Sequence, residues 1–417
     1  MKNYETRQTC RSCGSGELVD VLSLGIQYVS DFLEERTNGG LLAPLGLVLC
    51  DVNSGGCGLV QLRHTVPGDL LYRRYWYRSG VNASMTEALR DVANQAERLT
   101  GLSDGDIVVD IGCNDGTLLR SFRRRHLTLI GFEPAKNLIP FAEVGTTKII
   151  NDYFNLEGYR KNLGESKAKL ITSIAMFYDL EDPNSFVEDV RACLDDDGVW
   201  VIQMSYLPSM LRQNAFDNIC HEHLEYYSMT SLQSLLSRHG FEIFDVELNE
   251  VNGGSFRVYV KHEGCRSYGK EGSRGRLARI RRLERDLHLS DTRAYLEFAS
   301  RVNSLRDRLH EFISAEHKKG KKIYVYGAST KGNTLLQFCN LDRGLIDAAA
   351  DRNPDKWGKK TIGTHIPIIS EEQARADRPD YFLILPWHFL GEFMKREEAY
   401  LKGGGKFIVP LPEFRVI

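Results

Sequence analysis

The 417-residue sequence has no run of 18 apolar residues, so no helical membrane span is expected. It has no surplus of one charge either. Lys and Arg number 54 against 56 Asp and Glu, a formal net charge of −2, which removes the electrostatic case for a nucleic-acid or membrane partner. The first residues, Met1-Lys-Asn-Tyr-Glu-Thr-Arg7, lack the apolar stretch of a secretory signal, and a cytoplasmic protein is expected. The nine cysteines are odd in number, which fits thiols or metal ligands better than a disulfide framework. What remains is a globular composition, 42% hydrophobic and 26% charged, in a chain too long for one core.

Four cysteines crowd the first 57 residues: Cys10, Cys13, Cys50 and Cys57. Cys10-Arg-Ser-Cys13-Gly is a C-x-x-C knuckle, whose thiolates can meet one Zn²⁺ while backbone amides point at the sulfurs. Cys50-x6-Cys57 is looser, but Gly55-Gly56 lets the chain fold back. Residues 19–25 and 45–49 read as short strands between the pairs. A structural zinc ribbon is the expectation, with ordinary reduced cysteines in a small β domain as the alternative.

Apolar residues at helical spacing over 85–99 lead into Ile107-Val-Val-Asp110-Ile-Gly112-Cys-Asn114-Asp115-Gly116-Thr, which reads as a buried strand, a glycine turn and then a helix. A dinucleotide loop would offer glycines and amides to a pyrophosphate, whereas this one carries Asp110 and Asp115. That argues for S-adenosylmethionine, which has a sulfonium, an ammonium and a carboxylate but no phosphate. A second strand, 127–132, ends about 20 residues on in Glu133-Pro134, where Rossmann-like folds hold a ribose diol. Asn151, Tyr153 and Phe154 follow as amide contact and aromatic wall for the adenine. The strand 170–177 and its acidic sequel Tyr178-Asp-Leu-Glu-Asp-Pro183 complete the series.

Cys220-His221-Glu222-His223 lies beyond the next strand. Two histidines flanking a glutamate make a general-base centre. The spacing does not fit H-E-x-x-H, although a metal site or purely structural histidines are the alternatives.

From here the chain resembles the nucleotide-linked deoxysugar C-methyltransferases. The resemblance runs through the four-cysteine domain, Tyr75-Trp-Tyr77-Arg-Ser79, the cofactor loop and Glu222-His223-x-x-Tyr226-Tyr-Ser228. It continues in Gly253-Gly-Ser-Phe-Arg257-Val-Tyr259, Tyr326-Gly-Ala-x-x-Lys331-Gly-Asn333, Asp351-Arg-Asn353-Pro354 and Leu385-Pro-Trp387. It implies a sugar 4-ketone as substrate, methylation of the neighbouring carbon, and a base at His223 with Glu222 beside it. The family has a tyrosine where this chain has Cys220, and a thiol is a weaker hydrogen-bond donor to a ketone or enolate. Tyr75, Tyr77 or His221 would steady the enolate oxygen.

The C-terminal part opens with a charged helical stretch, 274–286, read as a solvated face rather than a diphosphate site. A second strand–glycine–helix follows at 322–334. Ligands of open α/β sheets bind beyond the carboxyl ends of the strands, so Lys331, Asn333, Asn353, Trp387 and His388 are expected to line a nucleotide-sugar crevice. A purely structural C-terminal domain is the alternative. The expected fold is α/β: a zinc-binding β domain at 1–70, a Rossmann-like methyltransferase domain at 71–265 and a second Rossmann-like domain at 266–417. A monomer or small homo-oligomer is expected. The functional alternatives are an O- or N-methyltransferase on the same scaffold and a catalytically silent sugar-binding homologue.

Overall fold

A computed structural model describes residues 3–37, 39–269 and 271–417. Near the N-terminus, β1 (Leu18–Tyr28), β2 (Phe32–Glu34), β3 (Leu42–Cys50) and β4 (Val60–Leu62) surround the cysteines. The two strands expected there are the centres of β1 and β3, which pair antiparallel. Alternation along β3 buries Ala43, Leu45, Leu47 and Leu49 on one face.

The helix α1 (Ala83–Thr100) starts where the Asn82 side chain accepts from the Ser84 and Met85 amides, and ends at left-handed Gly101. Its buried stripe, Leu89, Val92 and Ala96, covers the central sheet. That sheet is formed by β5 (Ile107–Ile111), β6 (Thr128–Phe132), β7 (Lys148–Ile150), β8 (Ala168–Ile174) and β9 (Leu194–Ser205), with α2 (Pro183–Cys193) before β9. After the short β10 (Glu225–Tyr226) and α3 (Met229–Arg238) come β11 (Phe241–Asn249) and β12 (Ser255–His262). The order is β11-β12-β9-β8-β5-β6-β7; β5 to β9 are parallel and β12 runs against both neighbours.

One expectation fails here. The loop after β5 leads not to an α-helix but to a single 3-10 turn, Leu119–Ser121. Few residues separate it from β6, and left-handed His126 turns the chain straight back. Arg120 fixes the short path by donating to the carbonyls of Asp115, Phe141 and Val144.

The C-terminal part contains α4 (Glu271–Asp286), α5 (Thr292–Lys318), β13 (Ile323–Tyr326), α6 (Thr330–Phe338), β14 (Ala348–Asp351), β15 (Lys359–Thr361), β16 (Ile368–Ser370), β17 (Tyr381–Ile384), β18 (Lys406–Val409) and β19 (Arg415–Val416). Its sheet, ordered β16-β14-β13-β17-β18-β19, reverses direction of growth at β13 and so opens a crevice at that strand's carboxyl end. The helix α4 packs on the central sheet instead: Arg276 pairs with Asp245 of β11, and Glu284 accepts from the Met229 and Thr230 amides that open α3.

The three parts are interlocked. β10 pairs with β4 and completes the N-terminal sheet, while β2 pairs with β15. The N-terminal sheet, the segment 207–226 and the C-terminal sheet share one apolar core. Among the described residues no helix is long and apolar enough to cross a membrane.

Candidate active site and zinc cluster

The Sγ atoms of Cys10, Cys13, Cys50 and Cys57 all lie within 4.8 Å of one another, with Cys10–Cys57 at 3.6 Å and Cys13–Cys50 at 3.5 Å. Tetrahedral Zn²⁺ at about 2.3 Å from each sulfur requires sulfurs about 3.8 Å apart, so the set fits with little movement. Gly56 makes the loose second pair possible, because a Cβ there would stand 2.6 Å from both Cys50 Sγ and the Asp51 carbonyl. The Cys57 amide donates to Cys50 Sγ at 3.3 Å. Asn184 and Arg238 of the central part donate to the Ser12 carbonyl, docking the knuckle onto α2 and α3.

A cavity of about 980 Å³ opens between the carboxyl ends of the two sheets. On its central-sheet side lie Asp110, Gly112, Asn114, Glu133, Pro134, Tyr153 and Phe154. Gly112 is left-handed, and a Cβ would crowd Met176 at 3.1 Å. Asp110 accepts from Thr172 Oγ1 at 2.6 Å, and Glu133 is held by the Asn114 and Ala135 amides at 2.8 Å each. Burial pushes both carboxyls up to about 7. Buried acids of this kind suit hydroxyl and ammonium donors and repel phosphate, which fits S-adenosylmethionine.

A strap of residues 72–82 crosses the cavity and brings Tyr72, Tyr75 and Tyr77 to its wall. Side chains of the cofactor loop hold it: Asn114 accepts from the Ser79 amide and donates to the Tyr77 carbonyl, and Asp115 accepts from the Gly80 amide. Asn137 makes a reciprocal pair with the Tyr75 backbone at 3.0 and 2.9 Å.

His223, Glu222 and Cys220 reach the same cavity. His223 Nδ1 lies 2.8 Å from the Asn218 carbonyl. A carbonyl only accepts, so the proton sits on Nδ1 and the lone pair on Nε2. Burial, helped by Lys331, lowers this imidazole to about 3, well below its ordinary value near neutrality. The Tyr178 ring packs at 4.4 Å from it. Burial keeps Cys220 and Tyr75 protonated far above neutrality. From the second sheet come Lys331, Asn353 and His388. Lys331 Nζ donates to Asn218 Oδ1 at 2.6 Å, so the lysine and the histidine are tied to one residue.

Three family models match this chain: a zinc binding domain at residues 10–72, a methyltransferase domain at 81–246 and a C-methyltransferase C-terminal domain at 250–412. The C-methyltransferase NovU of Streptomyces niveus is 34% identical over 412 residues, which is 98% of this chain and 96% of that one. The chain belongs to the C-methyltransferase family. It is an S-adenosylmethionine-dependent enzyme with a four-cysteine zinc domain. Two solved methyltransferases align over less than half of it. One from Clostridium acetobutylicum matches 43% of this chain and 92% of its own at 14% identity, with a TM-score of 0.34. Magnesium protoporphyrin IX methyltransferase of Synechocystis matches 43% and 79% at 12%, with a TM-score of 0.33. Likeness that distant carries no weight in the assignment.

Several residues expected in this C-methyltransferase's site stand behind the wall. His221 turns to the N-terminal sheet, with Nε2 3.1 Å from the Ala43 carbonyl, so it cannot steady an enolate in the cavity. Asp115 is spent on Gly80 and Thr117, while Gly116 is required because a Cβ would meet the Ala142 carbonyl at 2.8 Å. Asn151 donates to the Glu133 carbonyl, fixing that acid rather than touching a ligand. Tyr226 donates to the Asn218 carbonyl at 3.4 Å, Asn333 to the Asp31 carbonyl and Trp387 to Asp217. Sequence reasoning took Asp179 only as part of the acidic stretch after the strand 170–177 and gave no role to Asp217, Gln203 or Asn137; all four line the cavity. Asp179 had a signal: it follows the carboxyl end of parallel strand β8. The others had none.

Proposed function

We propose that the chain methylates the carbon beside the ketone of a nucleotide-linked 4-keto-deoxysugar. One observation carries this reading: His223 faces the cavity that also holds Asp110 and Glu133, with its Nδ1 pinned and its Nε2 lone pair free to take a proton. Making a carbon nucleophile requires a base and donors for the developing oxyanion. The lowered basicity of His223 keeps it neutral at any physiological pH but leaves it weak, so the donors must contribute more. Tyr75 and Tyr77 stand on the wall as protonated phenols, and Lys331 adds a cation. When bound, S-adenosylmethionine supplies the electrophilic methyl group; the residues around it hold the two ligands in line.

The second sheet supports a nucleotide sugar as the other ligand. Lys331 lies in the first turn of α6, and Arg352 and, from the strap, Arg74 reach the cavity wall, so cations are at hand for a diphosphate. Two ligands suit the volume, which is at the upper end for single-ligand pockets. Mass spectrometry of nucleotide 4-keto sugars incubated with S-adenosylmethionine tests the reaction. His223→Asn should bind both ligands and lose about 10²–10⁴ in rate. In D₂O, with S-adenosylhomocysteine in place of the donor, wild type should exchange the proton beside the ketone and His223→Asn should not. Normal methylation and exchange by the variant would move the base elsewhere.

A further inference from the structure

The carboxamide of Gln203 is fixed in one orientation. Its Oε1 accepts from Arg257 Nε at 2.8 Å and from Asn249 Nδ2 at 3.1 Å. An arginine only donates, and Asn249 Oδ1 already accepts from the Val251 amide at 3.1 Å, so neither carboxamide can be turned round. Arg257 is held in turn by Asp91 at 3.0 Å and Glu247 at 3.5 Å. Both lone pairs of Oε1 are thus occupied. Gln203 is 3% exposed yet lines the cavity, and its Nε2 bonds to no protein atom among the described residues. The end left to face the ligands is a neutral NH₂ that can donate and cannot accept.

Its place in the sheet says which ligand it meets. Gln203 pairs with Ile174 at the last rung between β8 and β9. In the order β9-β8-β5-β6 it stands two strands from Asp110 and three from Glu133, roughly 10 and 14 Å across the sheet. Ser205, two residues on and on the same face of β9, shares a small pocket with His223. The donor therefore lies towards the base and away from the ribose end. Asp179 and Glu222 also reach this cavity, and burial pushes both towards their neutral forms, so no carboxylate opposes an anion that grows there. Of the groups an NH₂ can serve, a ketone oxygen becoming an enolate is the one whose charge grows during the reaction. Tyr75 and Tyr77 come from the strap, and Tyr77 is 41% exposed, whereas Gln203 is braced from within the sheet.

We propose that Gln203 Nε2 is a catalytic hydrogen-bond donor to the substrate's ketone oxygen, aimed by Arg257 and Asn249. The inference rests on the keto-sugar reading and adds to it a group that steadies the oxyanion. When the C–H bond beside the ketone breaks, the proton passes to His223 Nε2. The electron pair of that bond forms the C=C bond, and the carbonyl π pair moves onto oxygen, where the donor is already in place. Methylation of the carbon re-forms the carbonyl, and Gln203 neither gains nor loses a proton.

The test uses the full-length, zinc-loaded protein with S-adenosylhomocysteine and a thymidine-diphosphate 4-keto-6-deoxyhexose carrying ¹³C at the ketone. Gln203→Glu keeps an acceptor for Arg257 and Asn249 but puts an oxygen in place of the NH₂ donor. Solvent deuterium exchange beside the ketone should fall about 10²–10³-fold, with affinity for S-adenosylhomocysteine within threefold. In infrared spectra the bound ¹³C=O stretch of wild type should lie below its solution value, and Gln203→Glu should return it towards that value. An unshifted stretch in wild type overturns the proposal. So does normal exchange by Gln203→Glu alongside slow exchange by Gln203→Leu, since the residue would then serve only to hold Arg257. A tenfold loss of S-adenosylhomocysteine affinity in Gln203→Glu also overturns it, because the donor's partner would be the cofactor carboxylate. Should Gln203→Glu fail to fold, Asn249→Ala decides: loosening the carboxamide must slow exchange at least threefold, and an unchanged rate overturns the proposal. If wild type neither exchanges nor methylates the sugar, the keto-sugar reading falls and this inference with it.

Discussion

At the scale of single residues, chemistry was easier to read than orientation. The acids Asp110 and Glu133 declared themselves by position at strand ends, and both face the cavity. Asn114, Asp115 and Asn151 occupy equally suggestive positions, yet each spends its side chain on backbone groups of a neighbouring segment, which no spacing rule shows. The residue pattern alone treated His221 and His223 alike and only the resemblance put the base at His223; the turn between them sends one to Ala43 and the other to the cavity. The raised carboxyls give a signed expectation. Free protein holds Asp110 and Glu133 with values near 7, whereas ribose hydroxyls donate best to the ionised form. Binding therefore releases protons, and affinity for S-adenosylhomocysteine should rise from pH 6 to pH 8 when followed by calorimetry. Glu133→Gln should weaken binding about tenfold, roughly 1.4 kcal/mol, and flatten that dependence. His223 gives the opposite kind of expectation. Its imidazole is already neutral, so kcat with both ligands saturating should show no inflection near pH 6.5.

At the scale of elements, the parallel strands were legible because both faces are buried and each ends in polar residues. The helix expected after the cofactor loop was not formed, since the pattern there could not show how short the return to β6 is. The strap was legible only as an aromatic segment, because its hold on the protein comes from distant side chains. Asn137→Ala removes both bonds to the Tyr75 backbone. At about 0.5 kcal/mol for each of the two contacts, kcat should fall about fivefold, with faster amide exchange across residues 72–82. Stripping zinc should free the knuckle that docks on α2 and α3, and with it the sheet that β10 completes. Elemental analysis should find one Zn²⁺ per chain. After chelation, exchange should quicken in residues 221–226 as well as in residues 10–57. Protection unchanged in residues 221–226 would show that the two are uncoupled.

At the scale of the whole molecule, the three-part division seen in the sequence describes the order of chain segments better than it describes packing. The helix α4 lies on the central sheet, β10 belongs to the N-terminal sheet, and the N-terminal and C-terminal sheets share one core. Such crossings depend on pairings between remote segments, which local periodicity does not encode. Calorimetry should accordingly record one dominant unfolding transition, lowered as a unit when zinc is removed. Trp387→Phe, which removes the indole donor to the buried Asp217 carboxyl, should lower stability by about 1–3 kcal/mol while keeping the transition single. The pairing of β2 with β15 sets Phe32 opposite Thr361, and that of β4 with β10 sets Val60 opposite Tyr226. During synthesis the N-terminal sheet must therefore wait, one strand short and with an open edge, until residue 226 has left the ribosome. The short β2 waits until nearly the whole chain has been made. The part of the protein made first is among the last to be finished, and a nascent chain halted before residue 226 should offer that edge to chaperones or to its own neighbours on the polysome.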